Sequence, residues 1–162
     1  MSGKSLPDGN YIYNGHFQEG KGRLEHWEID NKVNANVSVT KDKIRMLQVA
    51  SPKKAKPADV IIKQQEIELD AGVAYVVKFD AYASKTTNIT ARFGDEEKTV
   101  RVMPMVKNSL GVGVPQHFEW KYTPKTSDKI SLELLLGSDG GTVYVDNVYI
   151  KENRVVINGD LD

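Results

Sequence analysis

The residues best suited to binding chemistry lie on two consecutive predicted strands. In VAYVVKFDAYA (73–83), strict alternation puts Tyr82 on the more polar side, and in NITARF (88–93) it does the same for Asn88 and Arg92. An aromatic ring packs against the C–H face of a pyranose, whereas amide and guanidinium groups hydrogen-bond its hydroxyls. If the two strands pair through the turn between them, the three side chains share one sheet face that suits a neutral polyol. The alternative is a solvated sheet face with one incidental tyrosine.

Catalytic chemistry finds less support in the sequence. The sequence contains no G-x-S-x-G nucleophile elbow that could act with one of its three histidines, His16, His26 and His117. Glu119 and Glu133 stand opposite the apolar residues of their predicted strands, but outward acids are common on half-solvated sheets, so they are weak candidates for the carboxylate pair of a glycosidase. These patterns favour a binding protein over an enzyme.

Short β-strands must position these residues. Nine segments show period-two alternation and are separated by clusters of turn-forming residues, and no window shows a helical apolar stripe with caps. The pattern predicts an all-β fold, an antiparallel β-sandwich (jelly roll) of about nine strands. The predicted strands are 33–39, 43–49, 59–69, 73–83, 88–93, 98–105, 117–123, 129–136 and 142–150.

Composition excludes several classes of partner. The chain has 162 residues, 40% of them hydrophobic and 27% charged, which is typical of one globular domain. Basic and acidic residues balance at 22 each, which argues against nucleic acid or an anionic membrane as the main partner. No apolar run approaches the roughly 20 residues that span a bilayer. Cysteine is absent, so disulfides and cysteine-based zinc sites are excluded.

A repeated phrase suggests tandem modules. YIYNGHFQ near the N-terminus aligns with VVINGDLD at the C-terminus, so that Asn14-Gly15 falls on Asn158-Gly159. The chain then comprises a leader or linker (1–10), one sandwich module (11–152), and a linker with the start of a second module (153–162). Coincidence between two short strands that end in Asn-Gly turns is the alternative.

Several motifs in order resemble a known family. IYNGHFQEG is followed by Trp27, then by AGVAYVVKFDAYAS and finally by LLLGSDGGTVYVDNVYI. Over residues 11–152 this resembles the β-sandwich carbohydrate-binding modules of the family 4, 9, 22 and 16 type. The resemblance implies a jelly roll whose concave face binds a soluble polysaccharide such as β-glucan, xylan or mannan, without catalysis. It also implies a place beside a glycoside hydrolase in a secreted bacterial enzyme, next to a neighbouring tandem module.

The same resemblance implies a structural calcium ion far from the sugar cleft. Its ligands would be the carbonyls of His16 and Lys43 and the side chains of Gln18 and Asp146. Gln18 stands where the family usually has glutamate, so one formal charge is missing and calcium affinity should fall.

Two positions depart from the family pattern at the cleft. Ile61 and Leu135 stand where the family usually carries polar residues. Either the ligand differs, or an aliphatic contact replaces a hydrogen bond, or binding has been lost. The last option favours a structural or adhesive β-sandwich spacer in a cell-surface or multimodular protein.

The sequence as a whole predicts a non-catalytic module that binds a polysaccharide. Tyr82 would stack on a sugar ring, and Arg92 and Asn88 would hydrogen-bond its hydroxyls. Glu133 and His117 would flank them.

Overall fold

The computed structural model describes residues 5–41, 45–111 and 113–153, which fold almost entirely into β-strands. All nine predicted segments overlap an observed strand, and three further short strands, Glu28–Asn31, Val106–Lys107 and Gly113–Val114, were not predicted. Two short 3-10 helices, Lys21–Arg23 and Pro57–Asp59, lie in the loops. The strands are β1 (Glu28–Asn31), β2 (Asn36–Val39), β3 (Leu47–Ala50), β4 (Val60–Leu69), β5 (Tyr75–Ala83), β6 (Thr87–Phe93), β7 (Glu96–Val102), β8 (Val106–Lys107), β9 (Gly113–Val114), β10 (Gln116–Tyr122), β11 (Asp128–Leu135) and β12 (Thr142–Glu152).

Two five-stranded antiparallel sheets form the body of the domain. Sheet I has the order β1-β4-β11-β6-β7, and sheet II has the order β10-β5-β12-β3-β2. A small hairpin, β8–β9, lies between β7 and β10. The chain changes sheet repeatedly, since β4, β6 and β11 belong to sheet I while β5, β10 and β12 belong to sheet II. The predicted antiparallel sandwich is confirmed.

The core lies between the inward faces of the two sheets. On β5 the alternating residues Tyr75, Val77 and Phe79 are each 1% exposed, and on β6 the inward residues include Ile89 and Phe93, both fully buried. Removing this apolar surface from water is the main term that holds the sheets together. The predicted alternation of β5 and β6 is therefore correct for each strand taken separately.

The first Asn-Gly pair anchors the N-terminal loop to the sandwich. The buried Asn14 adopts a φ of 56°. Its Oδ1 accepts hydrogen bonds from the backbone N–H groups of Gln18 and Glu19, at 2.8 and 3.0 Å. Gly15 lies so close to β12 that an added Cβ would stand 2.0 Å from the carbonyl oxygen of Val148. The pair is thus fixed by local geometry. Its second occurrence, at 158–159, lies outside the described residues, so the tandem repeat stays a prediction.

The sandwich begins earlier than the sequence suggested. Asn10, placed in the predicted leader (1–10), is 4% exposed, and its Nδ2 donates to the carbonyl of Val148 at 3.2 Å. Its Oδ1 accepts from the N–H groups of Ile12 and Ile150, at 2.9 and 3.0 Å. The leader prediction is therefore too long at its C-terminal end, because the side chain directly before the first apolar run (Tyr11-Ile12-Tyr13) ties that run to β12. Within the described ranges, no helix has the length and apolar character needed to cross a bilayer.

Candidate functional site

The five predicted binding residues divide between opposite faces of the sandwich. β5 and β6 do not pair, because the turn between them passes from sheet II to sheet I. Tyr82 therefore lies on the outer face of sheet II, whereas Asn88 and Arg92 lie on the outer face of sheet I. The prediction that these three share one face is wrong. Alternation fixes which side of its own strand a residue occupies. It does not show whether the next strand pairs with that strand as a hairpin or crosses to the other sheet, because both connections leave the alternation unchanged.

Glu133 and His117 follow the same division. Glu133 is the direct cross-strand neighbour of Arg92 on sheet I. His117 is the neighbour of Asp80 on sheet II, two residues from Tyr82 along β5. Sheet I thus brings together Arg92, Asn88 and Glu133, and sheet II brings together Tyr82 and His117.

On sheet I, Arg92 is held between two carboxylates. Its Nε donates to Oε1 of Glu97 on β7 at 2.8 Å, and its Nη1 lies 3.6 Å from Oε1 of Glu133 on β11. The hydrogen bond to Glu97 is the main reason that the pKa of Arg92 is raised above its ordinary value. A guanidinium oriented from both sides is a pre-positioned donor, with N–H groups directed by its neighbours.

Further hydroxyl and amide groups continue along β6 on the same face. The hydroxyls of Thr90 and Thr99 share a hydrogen bond of 2.9 Å across β6 and β7. Asn88 follows two residues further and faces Arg101 on β7. Because strand residues rise about 3.4 Å each, Asn88 and Arg92 are about 13 Å apart. The polar groups therefore form a row rather than a single point of contact.

Ile61 and Leu135, the two apolar departures from the family pattern, are direct cross-strand neighbours on this face. Leu135 is only 4% exposed, yet it does not belong to the core cluster between the sheets. Its other cross-strand neighbour is Thr90. Sheet I thus carries an aliphatic patch beside its polar row. The only aromatic residue in its five strands is Phe93, which packs in the core.

A groove follows β11 on this side of the molecule. One hollow of about 460 Å³ is lined by Arg92, Ser131 and Glu133, by Tyr122 at the end of β10 and by the loop that follows it. A second hollow of about 320 Å³ adjoins it, because both are lined by Asp128 and Lys129. Each lies in the range of roughly 300–1,000 Å³ that ligand sites occupy. We call the two hollows together the β11 groove.

Two of the three cations that line the β11 groove, Arg92 and Lys129, are ion-paired. Nζ of Lys129 lies 3.1 Å from Oε2 of Glu66 and 3.8 Å from Oε1 of Glu68. The hydrogen bond to Glu66 is the largest of the causes that raise the pKa of Lys129. Together with the Arg92 cluster, this leaves a surface rich in donors and acceptors but with compensated charge. Such a surface suits an uncharged, hydroxylated ligand.

On sheet II, Tyr82 stacks against a second tyrosine that sequence reasoning did not select. The rings of Tyr82 and Tyr144 lie 4.3 Å apart with an interplanar angle of 11°. Nearby, Nδ1 of His117 lies 2.5 Å from Oδ1 of Asp80, and Nδ2 of Asn147 donates to Oδ2 of Asp80 at 2.7 Å. Asp80 is almost fully buried, and these two side chains supply a hydrogen-bond partner to each of its carboxylate oxygens in place of water.

A bulge in β12 explains why its aromatic residues escaped the sequence analysis. Strict alternation would place Tyr144 and Tyr149 on opposite faces. The register shifts between Asp146 and Tyr149, and Asn147 takes a φ of 53°. A bulge inserts one residue and returns the strand to the other phase. Tyr149 thereby joins Tyr144 on the outer face. Its position becomes visible only through the pairing.

Among the predicted calcium ligands, Asp146 best fits a cation site. It is 8% exposed, and its Oδ1 has no hydrogen-bond partner among the described residues. Burial raises the pKa of Asp146 to about 6, while the nearby His16 acts in the opposite direction. A buried carboxylate oxygen without a donor is the kind of group that a cation would complete. Gln18 is exposed, and Lys43 lies outside the described residues.

Glu19, the acid next to Gln18, belongs to a different cluster. It lies with Glu25 and His26 in an exposed group whose potential ligand atoms are within 4.8 Å of one another.

The fold and the groove together define a class of protein. A two-sheet sandwich with an open, polar groove along β11 has a surface suited to a hydroxylated ligand. The family described as "Carbohydrate binding domain" matches residues 9–141, and the chain belongs to this family. It is a binding module and not an enzyme, as the sequence predicted.

Solved structures show the same fold at low identity. A structure described as "CBM4 structure and function" shares 21% identity, with 88% of this chain and 99% of that chain covered and a TM-score of 0.64. TmCBM61 in complex with β-1,4-galactotriose shares 19% identity, covering 89% and 99%, with a TM-score of 0.59. The N-terminal cellulose-binding domain of Cellulomonas fimi β-1,4-glucanase C shares 17% identity, covering 82% and 91%, with a TM-score of 0.55. No curated protein matches the sequence.

Proposed function

We propose that this domain binds an extended, uncharged polysaccharide along the β11 groove and the adjoining outer face of sheet I. The observation that carries the proposal is the oriented guanidinium of Arg92, fixed by Glu97 and Glu133 at the edge of a groove of ligand size. Family membership supports a carbohydrate ligand. The paired charges favour a neutral chain of the β-glucan, xylan or mannan type over a charged one.

Hydroxyls and C–H groups of the sugar would meet different parts of this face. Arg92 and Glu133 would donate to and accept from hydroxyls, and Asn88 would do so further along β6. Ile61, half-buried beside the buried Leu135, would contact a C–H face in place of an aromatic ring. An open groove of this kind binds with modest affinity, with a Kd of about 10–100 μM, near −6 kcal/mol.

A structural calcium ion is the second part of the proposal. The buried Oδ1 of Asp146 would be its charged ligand, assisted by the carbonyl of His16, the side chain of Gln18 and the carbonyl of Lys43. The ion would link the N-terminal loop to β12. It would supply electrostatic cross-linking and no contact with a chain in the β11 groove, since Asp146 belongs to the opposite sheet.

The setting of the module is proposed from its class. We place it in a secreted bacterial protein, beside a glycoside hydrolase and a neighbouring tandem module that begins after residue 153. Structures of glycoside hydrolase chains that share the fold support this setting: one described as an arabinose-bound α-L-arabinofuranosidase has 28% of its length covered, at a TM-score of 0.65 and 14% identity.

Affinity gel electrophoresis with a matched pair of blocking variants tests the groove. Ser131→Trp fills the β11 groove, while Ser38→Trp puts the same bulk on β2 of sheet II. We expect β-glucan, xylan or mannan to retard the wild type and Ser38→Trp, and not Ser131→Trp. Equal retardation of both variants would remove the groove from the proposal. No retardation of the folded wild type by any neutral polysaccharide would favour the spacer function.

A further inference from the structure

A tyrosine on the outer face of sheet II is flanked by two lysines. Nζ of Lys151 lies 4.6 Å from the ring centroid of Tyr149, and Nζ of Lys78 lies 5.5 Å from it. Lys78 is the direct cross-strand neighbour of Tyr149, and Lys151 follows two residues later on β12. These distances are in the cation–π range, so the ring orients both ammonium groups beside it. The side of the sandwich opposite the β11 groove therefore holds a preassembled aromatic and cationic element.

Among the residues that the structure describes, no carboxylate lies within ion-pair distance of the lysines on this side. None of the ion pairs found among the described residues involves Lys78, Lys121 or Lys151. Lys121 on β10 lies in the same cross-strand row as Lys151, with Val76 between them. One carboxylate, that of Glu119, stands opposite Lys78. At this end of the face three ammonium groups stand against one carboxylate, while the other two carboxylates of the face, Asp80 and Asp146, are buried nearer its middle. This end therefore has a positive potential, in contrast to the ion-paired Arg92 and Lys129 of sheet I.

The Tyr82–Tyr144 stack extends the element along the strands. Tyr82 and Lys78 are four residues apart on β5, about 13 Å at strand spacing, and both point outward. Tyr144 also has an amide beside it, since Gln48 of β3 is its cross-strand neighbour. Aromatic rings thus mark both ends of a strip. We call Tyr82, Tyr144, Tyr149, Lys78 and Lys151 the tyrosine–lysine strip.

We infer that the tyrosine–lysine strip is a second glycan-binding surface and that its ligand is an acidic polysaccharide carrying uronic-acid carboxylates. The unpaired ammonium groups would bind the carboxylates, and the tyrosine rings would contact C–H faces of the sugar units. Both features are needed for such a ligand, because a neutral chain leaves the cations unused and a simple polyanion leaves the rings unused. The site does not depend on the β11 groove, so the domain would hold two chemically different chains on opposite faces.

Polygalacturonate and its fully methyl-esterified form provide a matched pair of probes, since they share a backbone and differ in charge. We expect polygalacturonate to retard the wild-type domain in affinity gels, with the retardation falling between 50 and 500 mM salt because exposed charges are screened. The esterified polymer should bind at least tenfold more weakly. Equal binding of the two polymers would overturn the inference, as would the absence of polygalacturonate binding.

Variants assign the binding to the strip. Lys78→Gln/Lys151→Gln should weaken polygalacturonate binding at least tenfold, and Tyr149→Ala should weaken it several-fold. The control Lys32→Gln/Lys53→Gln removes the same charge from exposed loops and should change binding less than twofold. Unchanged binding by both strip variants would refute the site.

Two further measurements distinguish a glycan site on the strip from attraction by charge alone and from binding in the β11 groove. Duplex DNA that retards the wild type as strongly as polygalacturonate does would show plain polyanion binding and overturn the inference. Arg92→Ala should leave polygalacturonate binding intact, and its loss would place the acidic polymer in the β11 groove instead. Neutral-glycan retardation in the same gels tests the β11 groove independently.

Discussion

The outer faces of the two sheets differ mainly in what stands next to each cation. On sheet I, Arg92 lies between Glu97 and Glu133, so its charge is compensated and its direction is fixed. On sheet II, Lys78 lies beside Tyr149, which orients the ammonium group without neutralising it. Both faces arise from the same alternation of inward apolar and outward polar residues. The comparison teaches that the cross-strand neighbour, more than the residue itself, decides which ligand a sheet face suits.

Arg92→Ala should have the largest effect on this comparison. It removes the oriented donor and leaves Glu97 and Glu133 facing each other. Hydrogen bonds to charged groups contribute about 1.5–3 kcal/mol, so neutral-polysaccharide affinity should fall by roughly 10- to 100-fold. Titration calorimetry or quantitative affinity electrophoresis measures the loss. Arg92→Lys, which keeps the charge and loses the planar fork, should be intermediate; a loss under twofold for the alanine variant would contradict the assignment.

Calcium should stabilise the domain without changing its affinity for neutral glycans. At a hundredfold excess over Kd, a bound ion adds about 2.7 kcal/mol, which is roughly 5–10 °C in Tm for a chain of this size. Scanning calorimetry at pH 7.5 with calcium and with chelator measures the difference. Asp146→Ala should abolish it. A calcium-dependent change in neutral-glycan affinity with no change in Tm would contradict a purely structural ion.

In the presence of chelator, the contribution of Asp146 to stability should fall as pH rises from about 4 to about 6. Burial raises the pKa of Asp146 to about 6 from an ordinary 3.8, so the folded state binds this proton more tightly than the unfolded state does. The contribution is therefore complete below pH 4 and is lost as the carboxyl ionises, on the order of 2 kcal/mol. Urea unfolding at pH 4.5 and 7 measures it, with Asp146→Asn as the reference. Parallel pH profiles of stability for the wild type and the variant would rule out this contribution of Asp146.

Tyr82→Ala should have the smallest effect on neutral-polysaccharide binding, below twofold. The ring lies on sheet II, on the side of the core opposite the β11 groove. Affinity gels with the neutral polymer that binds the wild type best measure the effect. If this variant loses retardation while Ser131→Trp keeps it, the neutral ligand binds sheet II and the two faces have been assigned in the wrong order.

Much of the fold was predictable because it depends on local pattern. Alternation located all nine main strands and identified the inward residues of β5 and β6, including Phe79 and Phe93. The missed strand β1 has an exposed, mostly polar sequence that carries little periodic signal. Asn10 was assigned to the leader because its partner carbonyl, on Val148, is far away in the sequence.

The candidate site was predictable only in part. The types of the residues were informative, since Arg92, Asn88 and Glu133 do share a face. The sequence did not reveal that they are separated from Tyr82 and His117, because the SKTT turn is equally compatible with a hairpin and with a passage between sheets. The role of Glu97 could not be seen either, since it depends on the β6–β7 register that places it beside Arg92.

By itself, the sequence determined the class of fold, the nine main strands, the inward faces and the absence of cysteine chemistry, because composition and period-two alternation are properties of neighbouring residues. Tertiary structure alone decided which strands pair, where the β12 bulge reverses the phase, and therefore which outward residues meet. Strand pairing joins segments distant in the chain, and its free energy depends on how both faces pack at once. For that reason Tyr144 and Tyr149 lie on the same outer face, whereas Tyr82 and Arg92 lie on opposite ones.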